Sequence, residues 1–308
     1  THYYREWKVS RGLANDSIEK SLFKTGLARK NEQGKIEPTR AAVLLFAEYP
    51  TNIMETKCTI RIYKYAGTIE TFKETPNLIG KPETIEGPIV KLISKAQKHV
   101  LQQLESGIEI RLGFLTKYKI PERVIKEAIT NAVIHRDYNI KRDIEIKMFE
   151  DRIEIRSPGL FPYNITKSNI GMVRADGYRN DLLVKHLREF SETPNLDRNE
   201  VVQAMRSEMQ THNLYPPLFL TYPTLEDSVE VLLLNEERPG EWEKVNGYLS
   251  NNKYIDNKTA RDITGIVQTY EMSRFFSKWV EQGLIEIFNP ENKAPRYTKY
   301  KLPNKDEI

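Results

Sequence analysis

From Val124 to Val133 the apolar residues Val124, Ile125, Ala128, Ile129, Ala132 and Val133 recur at the period of a helix. Beside them Glu127, Asn131 and His135, spaced i, i+4 and i+8, form a polar stripe on the same helix. Pro121 suits its first turn, having no N–H to leave unpaired, and Glu122 favours the positive end of the helix dipole. The period then changes to two. Asp143 to Phe149 and Arg152 to Arg156 alternate, with Ile144, Ile146 and Met148 on one side and Ile153 and Ile155 continuing after a turn at Glu150-Asp151, so a hairpin is predicted. It leads into the turn-forming run Ser157-Pro158-Gly159-Leu160-Phe161-Pro162. A long segment up to Arg179-Asn180-Asp181 follows, and a further helix is expected from about Leu182. Thr59 to Tyr63 reads as another strand.

A second pattern begins after the apolar strand Val229 to Leu234, which ends in charges and a Pro239-Gly240 break that reads as a linker. Glu241 to Leu249 predicts a helix with Trp242, Val245 and Leu249 inward, and Asp256 or Asn257 can cap a shorter helix through Ile263 that ends at Thr264-Gly265. A third helix is predicted over about Gln268 to Glu281, with Met272, Phe275, Phe276, Trp279 and Val280 as its core stripe. Leu284 to Phe288 and Arg296 to Leu302 then alternate as two strands around the tip Asn289-Pro290-Glu291-Asn292. Three helices followed by a hairpin is the order of a winged helix-turn-helix. In that reading Gln268, Thr269, Ser273, Arg274 and Lys278 face the major groove of DNA, and Lys293, Arg296, Lys299 and Lys301 meet phosphates. The other reading of this module is a protein-interaction or dimerisation wing.

Composition narrows the field. With 308 residues, 39% hydrophobic and 29% charged, the chain is expected to be globular, with two domains and no disordered tract. The longest apolar run, Ala41 to Ala47, is too short for a membrane span, and no signal peptide opens the sequence, so no membrane association and a cytoplasmic location are expected. The single Cys58 is expected to be a buried spectator. A net charge of +4 leans mildly toward nucleic acid. Residues 257 to 305 hold nine Lys or Arg against five Asp or Glu, which concentrates positive charge on the later elements of the second module. No Gly-x-x-x-x-Gly-Lys-Ser/Thr loop or Gly-x-Ser-x-Gly elbow occurs, and the five His have no His or Cys partner at ligand spacing; P-loop, serine-hydrolase and transition-metal chemistry are unsupported.

The polar stripe carries the candidate chemistry. A Glu at position 127 can orient water as a general base, and the amide oxygen of Asn131 can hold magnesium bridging nucleotide phosphates; the alternative is a solvated helix face. The succession Glu127, Asn131-Ala132, His135-Arg136-Asp137-Tyr138, a hairpin, Ser157-Pro158-Gly159 and Arg179-Asn180 resembles the divergent GHKL-type ATP-binding domain of RecG-related and Schlafen/AlbA-type transcriptional regulators. The likeness extends upstream through Gly34 to Ala47 and covers most of residues 1 to 235.

That resemblance implies an α+β fold, a GHKL-like (Bergerat-type) α/β sandwich with a mixed sheet. It also implies ATP and Mg2+ as cofactors, with Glu127 catalytic and Asn131, His135, Arg136, Asp137, Ser157, Gly159, Arg179 and Asn180 around the nucleotide. The implied domains are 1–56, a helical connecting segment after an AlbA-type domain; 57–235, the ATPase-like domain; and 236–308, the winged helix. A homo-oligomer and DNA are the implied partners. The departures are specific. Ser157 stands where ordinary GHKL ATPases carry an adenine-reading Asp, Asp181 replaces the proline of Arg-Asn-Pro, and Asp197-Arg198-Asn199-Glu200-Val201 lacks both glycines of the second phosphate loop. The expected function is therefore a nucleic-acid-associated regulator with a nucleotide-sensing or dimerising core. A magnesium-dependent ATPase in a DNA-related defence system and a structural adaptor are the alternatives.

Overall fold

A computed structural model describes residues 1–71, 77–106, 108–109, 115–116, 118–190, 201–288 and 298–303. The chain divides into two compact units, Thr1–Glu237 and Arg238–Ile308.

The larger unit opens with α1 (His2–Ser10), α2 (Ile18–Lys24), the hairpin β1 (Ala28–Lys30) and β2 (Ile36–Pro38), α3 (Arg40–Phe46) and α4 (Pro50–Met54). Next come β3 (Ile60–Lys64), β4 (Glu83–Ile85), α5 (Ile89–Ser106), the short pair β5 (Ile108–Glu109) and β6 (Leu115–Thr116), and α6 (Glu122–Ile134). It is completed by β7 (Ile144–Met148), β8 (Arg152–Pro158), α7 (Asp181–Leu187), α8 (Val201–Thr211), β9 (Leu218–Leu220) and β10 (Ser228–Leu234).

Six strands make one mixed sheet in the order β4-β3-β7-β8-β10-β9, in which β3 and β7 run parallel and the other pairs antiparallel. The period-two pattern explains its two faces. Ile144, Ile146, Met148, Ile153 and Ile155 are buried in one core with Ile93, Ala96 and Val100 of α5 and Ile125, Ile129 and Val133 of α6. The opposite face carries a ladder of alternating charge: Glu145 pairs in register with Arg156, and Arg156 with Glu230, whose carboxylate accepts from its Nε at 2.7 Å. Such a two-layer sandwich is the α+β architecture expected from the sequence.

Residues 1–56 lie within this same unit. Trp7, Leu27 and Leu45 are fully buried in the shared core, and Trp7 Nε1 donates to Nδ1 of the buried His186 at 3.3 Å. His186 Nε2 lies 3.3 Å from the Thr25 carbonyl, so accepting from Trp7 at one nitrogen makes the other the N–H donor. Burial lowers the pKa of this imidazole. Cys58 is buried as expected, and burial pushes its thiol up to about 11.

The smaller unit comprises α9 (Glu241–Leu249), β11 (Ile255–Asp256), α10 (Asn257–Thr264), α11 (Thr269–Glu281), β12 (Glu286–Ile287) and β13 (Lys299–Lys301). The side chain of Asp256 caps α10 by accepting from Thr259 N–H at 2.7 Å, and Gly265, with φ +83°, ends it in the left-handed conformation. Met272, Phe276 and Trp279 fill the core with Val245 and Leu249, so the aromatic stripe is packing and not a stacking platform. One strand, β11, was not foreseen. It contributes only two residues, too few for an alternating signal, yet it makes the sheet three-stranded in the order β11-β13-β12. The tip at 289–297, with Lys293 and Arg296, lies outside the described residues.

Candidate functional site

Helix α6 begins one residue later than the proline suggests, with Pro121 at its N-cap, and ends at Ile134, so that His135 is its C-cap. The polar stripe therefore runs along the second half of the helix and leaves His135 at the turn into Arg136-Asp137. Asn131 and His135 line a cavity of about 160 Å³ bounded by α6, the start of α8, strands β8 and β10, and the loop 160–178. Ser157, Gly159 and Tyr178 complete its polar lining, and the rest is apolar, including Ile155, Val202, Met205 and Phe219. Its size is close to that of a ~150 Å³ apolar cavity that takes a benzene ring.

Each polar lining group has a distinct state. The Ser157 hydroxyl donates to the Ala132 carbonyl at 2.6 Å, which ties β8 to α6 and leaves the oxygen able to accept. His135 stacks on Tyr178 with centroids 5.5 Å apart and planes at 17°, and its Nδ1 is buried without a hydrogen-bond partner. Burial, helped by the Arg179 charge, lowers its pKa to about 4, so the ring is neutral at neutral pH. Glycine is required at two points of the wall. A Cβ on Gly159 (φ +107°) would sit 2.9 Å from Asp137 Cβ and press into the Arg179 guanidinium; one on Gly171 (φ +76°) would sit 2.9 Å from Val202 Cγ1.

The loop over the cavity is ordered by its own side chains. Asn164 Nδ2 donates to Arg174 O at 3.0 Å, Asn169 Nδ2 to Asn164 O at 2.9 Å, and Asp176 N–H to Asn164 Oδ1 at 3.1 Å. Such Asn-based turns are legible in the sequence only as turn propensity, and neither the Tyr178 stack nor the Gly171 approach to α8 has a linear signature.

The other predicted residues are placed elsewhere. Glu127 does not line the cavity; it is half-buried one turn before Asn131, and burial raises its pKa against the opposing influence of Arg123. Arg136 is fully buried, donates to the Ile140 and Arg142 carbonyls and lies over the Tyr138 ring at 5.0 Å. Asn180 donates to the Ile134 and Arg136 carbonyls at 2.8 and 2.9 Å and so satisfies the end of α6. Asp137 accepts from Asn139 and pairs with Arg179 at 3.3 Å, and Arg179 donates to Leu160 O at 2.7 Å. Arg179 and Asn180 line a second, larger groove on the far side of this knot.

A magnesium ion that keeps most of its waters needs only one or two protein ligands besides phosphate oxygens. Asn131 offers one amide oxygen, and no cluster of three acidic, His or Cys side chains occurs among the described residues. The cavity has room for an aromatic ring. Of the loop whose glycines are missing, residues 197–200 lie outside the described residues; Val201, which is described, lines the cavity with its branched side chain.

In the smaller unit Gln268, at the N-cap of α11, and Thr269, Ser273, Arg274 and Lys278, on the helix, are all exposed. Asn257 Nδ2 donates to Thr269 O and Ser273 Oγ, and Lys299 Nζ lies 3.7 Å from the Tyr254 ring centroid.

Among the described residues no helix is long and apolar enough to cross a membrane. No functionally curated protein matches the chain. The chain resembles the crystal structure of the DIP2311 protein from Corynebacterium diphtheriae at 18% identity and a TM-score of 0.51, over 98% of this chain and 52% of that one, a likeness of fold. It thus spans about half the length of that protein. Residues 141–233 match the family described as "Putative ATP-dependent DNA helicase recG C-terminal". That stretch includes Ser157, Gly159, Arg179 and Asn180 and stops short of Glu127, Asn131 and His135. The match and the six-stranded mixed sheet support a divergent ATPase-like domain in the larger unit.

Proposed function

We propose that this is a nucleic-acid-associated regulatory protein whose larger unit binds ATP by its base in the α6 cavity and whose smaller unit is a winged helix-turn-helix that docks on DNA. The observation that carries the first half is the convergence of Asn131, His135, Ser157 and Gly159 on one cavity of aromatic size, with the candidate base Glu127 outside its lining. In this reading Ser157 Oγ accepts from an exocyclic amino group, His135 Nδ1 gains the partner it lacks, and Asn131 takes the metal that accompanies the phosphates. Bound magnesium would neutralise phosphate charge. Ligand sensing, and not turnover, is the function that this arrangement supports.

The order helix, strand, two helices, two strands supports the second half, as does the exposed row Gln268, Thr269, Ser273, Arg274 and Lys278 on α11 and its N-cap. One observation favours a hydrolytic reading: a partly buried Glu127 with a raised pKa is suited to general-base work.

Calorimetry with ATP and magnesium on the full chain tests the core. Heat is expected for the wild type, with Asn131→Ala weakening binding by about tenfold, the scale of one good polar contact; a wild type that gives no heat overturns the nucleotide reading. Phosphate release slower in Glu127→Gln than in wild type would favour the enzyme. For the smaller unit, a salt-titrated DNA shift assay with Arg274→Ala should show weaker binding and a shallower salt slope. Binding indifferent to both would remove groove docking.

A further inference from the structure

The groove behind the Asp137–Arg179 pair holds about 430 Å³ between the β1–β2 hairpin, the first turn of α3 and the first turn of α7. Four cations line it, Arg29, Lys30, Arg40 and Arg179, against two carboxylates, Glu37 and Asp181. Among the described residues neither carboxylate forms an ion pair with them. Glu37 accepts from Asn31 Nδ2 at 2.8 Å, and Asp181 accepts from Tyr178 N–H at 2.9 Å.

Of these four cations, Arg179 is paired with Asp137 at 3.3 Å. Among the described residues Arg29, Lys30 and Arg40 form no ion pair; Lys30 lies 5.8 Å from the Phe23 ring centroid, and Arg40 donates to the neutral Asn139 Oδ1 at 2.6 Å. Asn139 in turn donates from both N–H and Nδ2 to Asp137 Oδ1 at 2.9 Å, and Asp137 Oδ2 holds Arg179. Arg40, Asn139, Asp137 and Arg179 are thus fixed in one polar chain along the groove. Ion pairs are common elsewhere in this unit, Arg11–Glu189 and Lys147–Glu70 among them, so unpaired cations collected in one concavity stand out.

We propose that this groove is a second ligand site, distinct from the α6 cavity, that binds a dianionic phosphate ligand: two consecutive phosphodiesters of a nucleic-acid strand or a small polyphosphate. Guanidinium forks suit phosphate oxygens, and the three cations Arg29, Lys30 and Arg40 supply the positive charge that a dianion needs. Arg179 touches both sites, since it lines the groove while its guanidinium covers Gly159 in the wall of the cavity. The inference does not rest on the nucleotide reading of that cavity.

The test uses the full chain with Arg274→Ala, which weakens the smaller unit's expected contact, and two probes: a fluorescent oligothymidylate followed by anisotropy, and inorganic pyrophosphate followed by calorimetry. Arg29→Gln with Arg40→Gln is expected to weaken at least one probe by about tenfold or more, at roughly one charge-assisted hydrogen bond per side chain. Lys98→Gln, an exposed cation on α5, should change neither. Loss of oligonucleotide binding alone identifies a strand as the ligand, loss of pyrophosphate binding alone a small polyphosphate, and loss of both the shared chemistry. Saturating adenosine, which carries no phosphate, is expected to displace neither probe, which separates this test from that of the cavity. Failure of both probes to bind the parent, or equal binding by parent and double variant while both melt alike, overturns the proposal.

Discussion

The two concavities of the larger unit are divided by a few residues and differ in almost every physical respect. The α6 cavity is small, mostly apolar and bounded by Ile155, Met205 and Phe219; the groove is larger, open and cationic. A site of the first kind recognises a flat ring by shape and by a few convergent polar atoms, while one of the second kind recognises charge and weakens with salt. Between them stands a knot of motif residues. Asp137 holds Arg179, Arg179 covers Gly159, and Asn180 closes the end of α6. Residues that a linear motif groups around one nucleotide are thus divided in space, some lining one site, some the other, and some holding the partition.

The sharpest way to break this comparison is to damage the partition. Gly159→Ala forces a side chain into a positive-φ position against Asp137 and Arg179 and should destabilise the larger unit by roughly 2–4 kcal/mol. Thermal melting should show this as a Tm lower by roughly 5–15 °C, and a Tm within 1 °C or so of wild type would mean that the partition is not tight.

Acid should act on the cavity side next. The pKa of His135 falls from an ordinary 6.5 to about 4 in the folded chain, and that of His186 is also lowered. Below pH 6.5 the unfolded imidazoles take up protons that the folded ones refuse, so stability is complete above that pH and declines as pH falls toward 4. His135→Gln should remove about 1–3 kcal/mol of that decline, read as a flatter dependence of Tm on pH between 6.5 and 4; an unchanged profile would place the ring in water.

Asn180→Ala removes two donors from the end of α6 and should cost about 1–2 kcal/mol by denaturant titration. Glu127→Gln has the smallest expected effect. It lies outside the lining of both sites, so binding of ATP and of pyrophosphate should each stay within about twofold of wild type, below the scale of one hydrogen bond. A larger loss in either titration would bring this carboxylate into a site.

Much of the fold was legible because its signals are local. The helical stripe from Val124 to Val133, the alternation of Ile144, Ile146 and Met148, and the Asp256 cap each state their structure within a few residues. Strand β11 was hidden by its length, and the burial of Trp7 against His186 depends on a contact between residues far apart in sequence. The candidate site was legible as a set of residue types and not as a geometry. Arg136 and Asn180 offer side chains suited to a ligand, yet both donate to backbone carbonyls, Asn180 through its Nδ2 and Arg136 through one Nη while its Nε is buried without a partner, because the turn after α6 leaves acceptors that must be satisfied. The cationic groove joins Arg29 and Arg40 to Arg179, and no linear spacing anticipates that.

If the α6 cavity reads a base by shape, the phosphates should matter little to it. Calorimetric titration of adenosine and of ATP with magnesium, each at low and high salt, tests this directly. The account predicts that adenosine binds within about tenfold of ATP, since one metal-bridged contact through Asn131 is the difference, and that its affinity changes little with salt. Binding of ATP without any binding of adenosine, falling steeply as salt rises, would contradict it.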